Sequence, residues 1–151
     1  MPFSIQARIL RTNLSALFRI VEEGTWSHKQ HKEWLRNGNM LEIRLPQSGR
    51  AAMLRFVSDS SSSNATESFG VVFGIHNQKR WVDIVTDIGP AETTAHILPT
   101  YYNNTDISRT RMREAQHDRW EAVTKYGKKV SANFTVSDGD NLQVDISIDA
   151  A

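Results

Sequence analysis

The chain has 151 residues, with 18 Lys+Arg against 17 Asp+Glu, no cysteine and 39% apolar side chains. Folding at this length removes about 70% of the unfolded surface from water, so a core forms without a disulfide or metal staple. The absent cysteines exclude a disulfide framework, a thiol nucleophile and cysteine-ligated metal sites, and a formal charge of +1 excludes a strong global attraction to nucleic acid while allowing local patches.

Residues 1–8 alternate apolar and polar and lack the basic stretch and continuous apolar run of a secretory signal, and no apolar run approaches a bilayer span. A cytoplasmic protein is expected, in which the Asn-x-Ser/Thr triplets at Asn13, Asn64, Asn103 and Asn133 stay unmodified. Alternation with period two predicts strands at Phe3, Ile5, Ala7, Ile9, then at Leu41, Ile43, Leu45, at Val130, Ala132, Phe134, Val136 and at Leu142, Val144, Ile146, Ile148. Asp138-Gly139 between the last two supplies the positive-φ residue of a hairpin turn. Further strands are expected over 17–21, 53–57, 69–76 and 81–86, and the polar run 58–66 reads as a hairpin loop. Short strands at this spacing predict a mainly β, antiparallel sandwich or barrel forming a single domain over residues 1–151. One stretch departs from it: Met112, Ala115, Val123 and Tyr126 at helical spacing predict a helix over 108–126, with Ser108 as N-cap and Gly127 as stop. Residues 109–129 hold seven Lys/Arg against three acids, which reads as a solvated face or as an anion-binding patch using Arg109, Arg113 and Arg119.

No nucleophile with a base, no phosphate loop and no dinucleotide fingerprint is visible, so no enzyme is expected. His28 and His31 with Glu33 have a spacing compatible with metal but common by chance; no metal site or cofactor is expected. The densest polar-aromatic stretch, residues 76–86 followed by Tyr101-Tyr102-Asn103-Asn104, suits a neutral polyol. Sugar C–H faces pack on rings, and hydroxyls find amide and carboxylate partners. The competing reading is a core strand through Trp81, Val82, Ile84 and Val85.

At these residues the chain resembles the fungal fruit-body lectin family of mushroom agglutinins. The resemblance rests on His76-Asn-x-Lys-Arg-Trp-x-Asp-Ile-Val-Thr86, Tyr101-Tyr102, Arg109 with Arg113-Glu114, and Thr135-Val-x-x-Gly-Asp-Asn-Leu142. Ser4-Ile5, Phe18, Trp26, Trp34, Ser48-Gly49 and Leu54-Arg-Phe-Val57 fall in the same order upstream, so it covers nearly the whole chain. It implies an actinoporin-like β-sandwich with a helix-loop-helix connection between its two sheets, assembled as a homotetramer. It also implies binding of glycans on glycoproteins or glycolipids without catalysis, and a defensive role against animals that feed on the fungus. Membrane contact is then expected only through glycans, and nucleic acid is not an expected partner. A membrane-active toxin is the alternative that an actinoporin-like fold raises, but residues 3–9 have strand period where an inserting helix would be needed.

The resemblance further implies two sugar sites. The first, for galactose-β-1,3-N-acetylgalactosamine, maps to Ser48, Gly49, His76 and Asn77, with Lys29 beside it. Here Lys29-Gln30 replace a small Ala-Asn pair, Pro46-Gln47 replace two glycines and Gln78 replaces a tyrosine. The second, for terminal N-acetylglucosamine, maps to Asp83, Ile84, Thr86, Arg109 and Trp120, the last standing where a tyrosine is usual, while Val82 stands where the family has cysteine. On one continuous helix Arg109 and Trp120 would share a flank but lie about 16 Å apart, a difficulty that a break in the helix removes.

Overall fold

The computed structural model describes residues 2–11, 18–26, 34–58 and 67–149. Strands β1 (Phe3–Arg11), β2 (Phe18–Trp26), β3 (Leu35–Asn37), β4 (Met40–Leu45), β5 (Arg50–Ser58), β6 (Ser68–His76) and β7 (Lys79–Val85) precede a helical connection. The connection comprises α1 (Thr94–Ile97), a 3₁₀ turn over Leu98–Tyr101 and α2 (Ile107–Ala115), and the chain closes with β8 (Arg119–Val123), β9 (Lys129–Val136) and β10 (Asn141–Asp149). These strands form a six-stranded sheet in the order β3-β4-β1-β10-β9-β8 and a four-stranded sheet in the order β2-β5-β6-β7. The expected β-sandwich and its helical connection between sheets are therefore both present.

The period-two strands do what their pattern requires. Phe3, Ile5 and Ala7 share one face with Leu41, Ile43, Leu45, with Val130, Ala132, Phe134 and with Leu142, Val144, Ile146, Ile148. That face packs on Ala52, Leu54, Phe56, Phe69, Val71, Phe73, Ile75, Val82 and Ile84 of the other sheet. Pairing is antiparallel except between β1 and β10, which run parallel with Ile5 opposite Leu142 and Ile9 opposite Ile146. Alternation reports which face a residue takes and is silent on strand direction, so this pairing was not legible. The C-terminal hairpin forms as expected, with Gly139 at φ 87°.

β6 alternates poorly because both of its faces are covered. Phe69, Val71, Phe73 and Ile75 enter the inter-sheet core, whereas Val72 joins Ala51, Met53 and Trp81 in a second core beneath Ile88, Ile97, Leu98 and Tyr101 of the connection. A strand buried on both faces reads as a continuous apolar run. Gly74 belongs to this outer face: a Cβ there would lie 2.5 Å from the Arg50 carbonyl oxygen and 2.8 Å from Trp81 Nε1.

The helix expected over 108–126 is shorter and starts earlier. Asp106 is the N-cap, its side chain accepting from the Arg109 N–H at 3.1 Å, and Gln116 ends α2 in the left-handed region at φ 54°. Trp120 and Ala122 then face the core from β8, while Arg119, Glu121 and Val123 are exposed, so the segment has strand period. Gly127 does not stop a helix: at φ 82° it closes the β8–β9 turn, where the Thr124 N–H donates to Lys128 O at 2.8 Å. The expected 58–66 loop lies largely outside the described residues.

Candidate functional site

Two polar clusters stand at opposite ends of β7. The first is built by the β4–β5 loop and the β6–β7 turn. Asn77 and Gln78, at φ 48° and 67°, make the two-residue turn that matches strand twist. Because β5 pairs with β6 and Arg50 sits opposite Ile75, the loop before Arg50 is brought beside this turn. The Gln78 N–H donates to Ser48 Oγ at 3.0 Å, and the Gly49 N–H donates to Ile75 O at 2.8 Å. Gly49 adopts φ 85° with nothing within 4 Å of where a Cβ would stand, so backbone conformation, not crowding, selects glycine, and the face above it is open. Asn77 Nδ2 lies 3.4 Å from His76 Nε2. Ser48, Gly49, His76 and Asn77 are thus gathered into one small, partly open patch offering a hydroxyl, an amide and an imidazole. Lys29, with Gln30, His28, His31 and Glu33, lies outside the described residues.

Two neighbours frame this patch: Gln116, which had no role in the sequence reading, and Arg113 of the basic run. The Gln116 amide donates to His76 O at 2.5 Å, and Gln116 O accepts from Arg80 Nη1 at 3.0 Å, so the end of α2 is riveted to the β6–β7 hairpin. Left-handed caps favour glycine or asparagine, so a glutamine in this role leaves no sequence signal. Arg113, one turn earlier, places its guanidinium 5.0 Å from the centre of the Tyr102 ring, which stacks on Trp26 at 5.7 Å. Burial and Arg113 hold the His76 imidazole below its ordinary pKa, with Glu114 opposing them. Burial raises the Tyr102 phenol well above its usual range, against the opposing pull of Arg113 and Arg50.

The second cluster lies at the other end of β7. Asp83 is only 8% exposed and points away from the inter-sheet core, while its neighbours Val82 and Ile84 point into it. Its carboxylate accepts from Tyr101 Oη at 2.7 Å and from the Ile84 N–H at 2.8 Å. Burial raises the Asp83 pKa; Tyr101, the Ile84 N–H and Arg109 pull it down, and Asp106 adds to the rise. Arg109 stands over Tyr101 at 5.9 Å, donates to Thr100 Oγ1 at 2.9 Å and lies 3.6 Å from Asp106. Asp83, Tyr101 and Arg109 therefore form one hydrogen-bonded and electrostatic unit, with Thr86 half-buried just past the strand. Ile84 contributes its backbone N–H and buries its side chain. Trp120 is not on Arg109's helix: it stands on β8, which runs beside β7, and stacks on His117 at 4.9 Å. Tyr101 belonged to the polar-aromatic stretch in the sequence, but its partner was invisible because the contact spans the helical connection.

The fold is thus a two-layer β-sandwich with a helical cover on the outer face of its smaller sheet, carrying two polar-aromatic patches along one strand. The chain belongs to the fungal fruit body lectin family, whose model matches residues 1–146. It is 32% identical to Boletus edulis lectin over 147 residues, covering 97% of this chain and 98% of that one. Crystal structures of Xerocomus chrysenteron lectin, wild type and a methionine-substituted variant, superpose with TM-scores of 0.85 at 33% and 34% identity, each covering 98% of this chain. Their coverage of the lectin chains is 99% and 98%, respectively. The protein is a carbohydrate-binding lectin of a family that is not enzymatic. Among the described residues no helix is long and apolar enough to cross a membrane.

Proposed function

We propose that each protomer is a two-site lectin. The first cluster, Ser48, Gly49, His76 and Asn77, takes galactose-β-1,3-N-acetylgalactosamine, and the second, Asp83, Ile84, Thr86, Arg109 and Trp120, takes terminal N-acetylglucosamine. What supports this reading is the meeting, from separate segments, of Ser48 with the His76–Asn77 turn and of Asp83 with Arg109 through Tyr101. A serine hydroxyl both donates and accepts, a glycine lets a sugar approach the backbone, and an asparagine amide offers both polarities, which suits an acetamido group and sugar hydroxyls. At the second patch a carboxylate and a guanidinium flank one face, able to accept from and donate to vicinal hydroxyls. In this reading the protein is cytoplasmic, homotetrameric and defensive against animals that feed on the fungus, and weak single-site contacts are raised by multivalency.

A glycan array with wild type, Ser48→Ala and Arg109→Ala tests the two sites separately. Loss of galactoside signals only in the Ser48 variant and of N-acetylglucosamine signals only in the Arg109 variant is expected. Folded wild-type protein without either class of signal would remove the assignment.

A further inference from the structure

Neither cluster uses the outer face of the larger sheet. The strand register sorts that face into rows. Arg8, Asp145, Asn133 and Arg119 stand side by side on β1, β10, β9 and β8. Two residues further along the same strands the row is Leu10, Ser147, Ser131 and Glu121, and two further again it is Asp149, Lys129 and Val123. Between these rows Ile9, Ile146, Ala132 and Trp120 turn inward onto the core. The middle row thus sets two serines among rows of longer side chains, and the surface dips there into a hollow of about 240 Å³. Strands lie about 4.8 Å apart and alternate residues about 7 Å apart, so the frame measures about 14 Å from Leu10 to Glu121 and about 14 Å between the flanking rows. That is room for one pyranose ring.

The chemistry of the hollow is that of a neutral, hydroxyl-rich ligand. Three cations in the frame, Arg8, Arg119 and Lys129, face three carboxylates, Asp145, Glu121 and Asp149, so an ion meets no net charge. The carboxylates are also held in place. Arg8 donates to both oxygens of Asp145, at 3.1 and 2.9 Å, and the two oxygens of Glu121 lie 3.7 Å from Arg119 and 3.5 Å from Lys129. An ionised carboxylate has about four acceptor positions, so each keeps some for a further donor. On the floor, Ser131, Ser147 and Asn133 make no side-chain hydrogen bond among the described residues, and together they offer donors and acceptors. Leu10, partly buried at the edge, adds an apolar wall.

We propose that this hollow is a third saccharide site, taking one neutral hexose. Hydroxyls at opposite ends of the ring donate to Asp145 and Glu121, the serines and Asn133 hold the hydroxyls turned to the floor, and a C–H edge lies against Leu10. The site is separate from the two proposed above and does not depend on them.

The test is amide NMR of the whole protein titrated with methyl α-mannoside, methyl β-glucoside and methyl β-galactoside, beside Ser131→Arg, which fills the hollow, and Asp145→Ala, which removes an acceptor and a surface ion pair that contributes little to folding. At least one hexoside shifts the amides of Ser131, Asn133, Glu121 and Ser147 with a Kd of about 1–10 mM, the scale of a few partly exposed hydrogen bonds. The shifts vanish in Ser131→Arg and need at least about threefold more sugar in Asp145→Ala, while amides of the smaller sheet keep their positions and report that the fold is intact. Shifts at the other two clusters alone, or none on β8, β9 and β10 at about 50 mM sugar, overturn the proposal. So do shifts that persist in Ser131→Arg. Sedimentation of Ser131→Arg as a smaller assembly than wild type places a second copy of the chain on this face and also overturns it.

Discussion

Removing one oxygen tests the electrostatics of the second cluster. In Tyr101→Phe the buried ring stays and the hydrogen bond to Asp83 Oδ2, 2.7 Å in the native protein, is lost. Asp83 is 8% exposed, so water does not freely replace the donor. A hydrogen bond to a charged acceptor contributes about 1.5–3 kcal/mol, and for a chain of this size each kcal/mol moves Tm by about 2–4 °C. A loss of about 3–12 °C at pH 7 is expected. The loss depends on pH, with a definite sign. The folded-state pKa of Asp83 is already raised above its unfolded value by burial, against the pull of Tyr101. The native state therefore holds the proton more tightly than the unfolded chain, and this carboxyl's contribution is most favourable below the ordinary carboxylate range and falls as pH rises through the folded value. Removing the tyrosine donor raises that pKa further, so the penalty of the variant grows from acid to neutral pH. Chemical denaturation of both proteins at pH 4 and pH 7 measures it. A penalty equal at the two pH values, or below about 0.5 kcal/mol at pH 7, would refute the view that Tyr101 stabilises a buried carboxylate.

Two further substitutions probe the frame around the first cluster. Gln116→Ala removes the amide that grips His76 O at 2.5 Å; stability falls by about 0.5–1.5 kcal/mol, and, under the proposed two-site reading, calorimetric titration shows galactoside affinity dropping several-fold while N-acetylglucosamine affinity holds. Gly74→Ala drives a Cβ to 2.5 Å from Arg50 O and 2.9 Å from Ala51 Cβ, an overpacking expected to cost about 1–3 kcal/mol in urea denaturation.

Strand faces were legible because one-sided burial imposes period two, as at Ile5, Ile43, Val144 and Ile146, all of them in the core. β6 and β7 were legible as strands but not as a two-faced layer, since a continuous apolar run does not say what covers its second face. The helix over 108–126 was overextended for a physical reason. Met112, Ala115, Val123 and Tyr126 match a helical period by coincidence; α2 buries no side chain and is held by its Asp106 cap, by Arg113 on Tyr102 and by Gln116. Amphipathic spacing cannot report a helix anchored by polar side chains. At the candidate sites, residues matched to the family by motif could be named, but Tyr101 on Asp83 and Gln116 on His76 are contacts between distant segments that no local pattern encodes.

The two clusters are held apart by the elements that build them. β7 connects them: from Asn77 at its turn to Asp83 is six residues, about 20 Å of extended chain. α2 runs between the same two places, with Arg109 near its start over Tyr101 and Gln116 at its end on His76. A strand and a helix fastened at both ends keep this separation constant, so the clusters share a rigid ridge but no residue. Under the proposed reading both sites can be occupied together, and a single protomer already bridges two glycans before any assembly. A bridge of that kind favours surfaces that display the two termini side by side. Its affinity would follow the spacing of the two termini as much as the abundance of either.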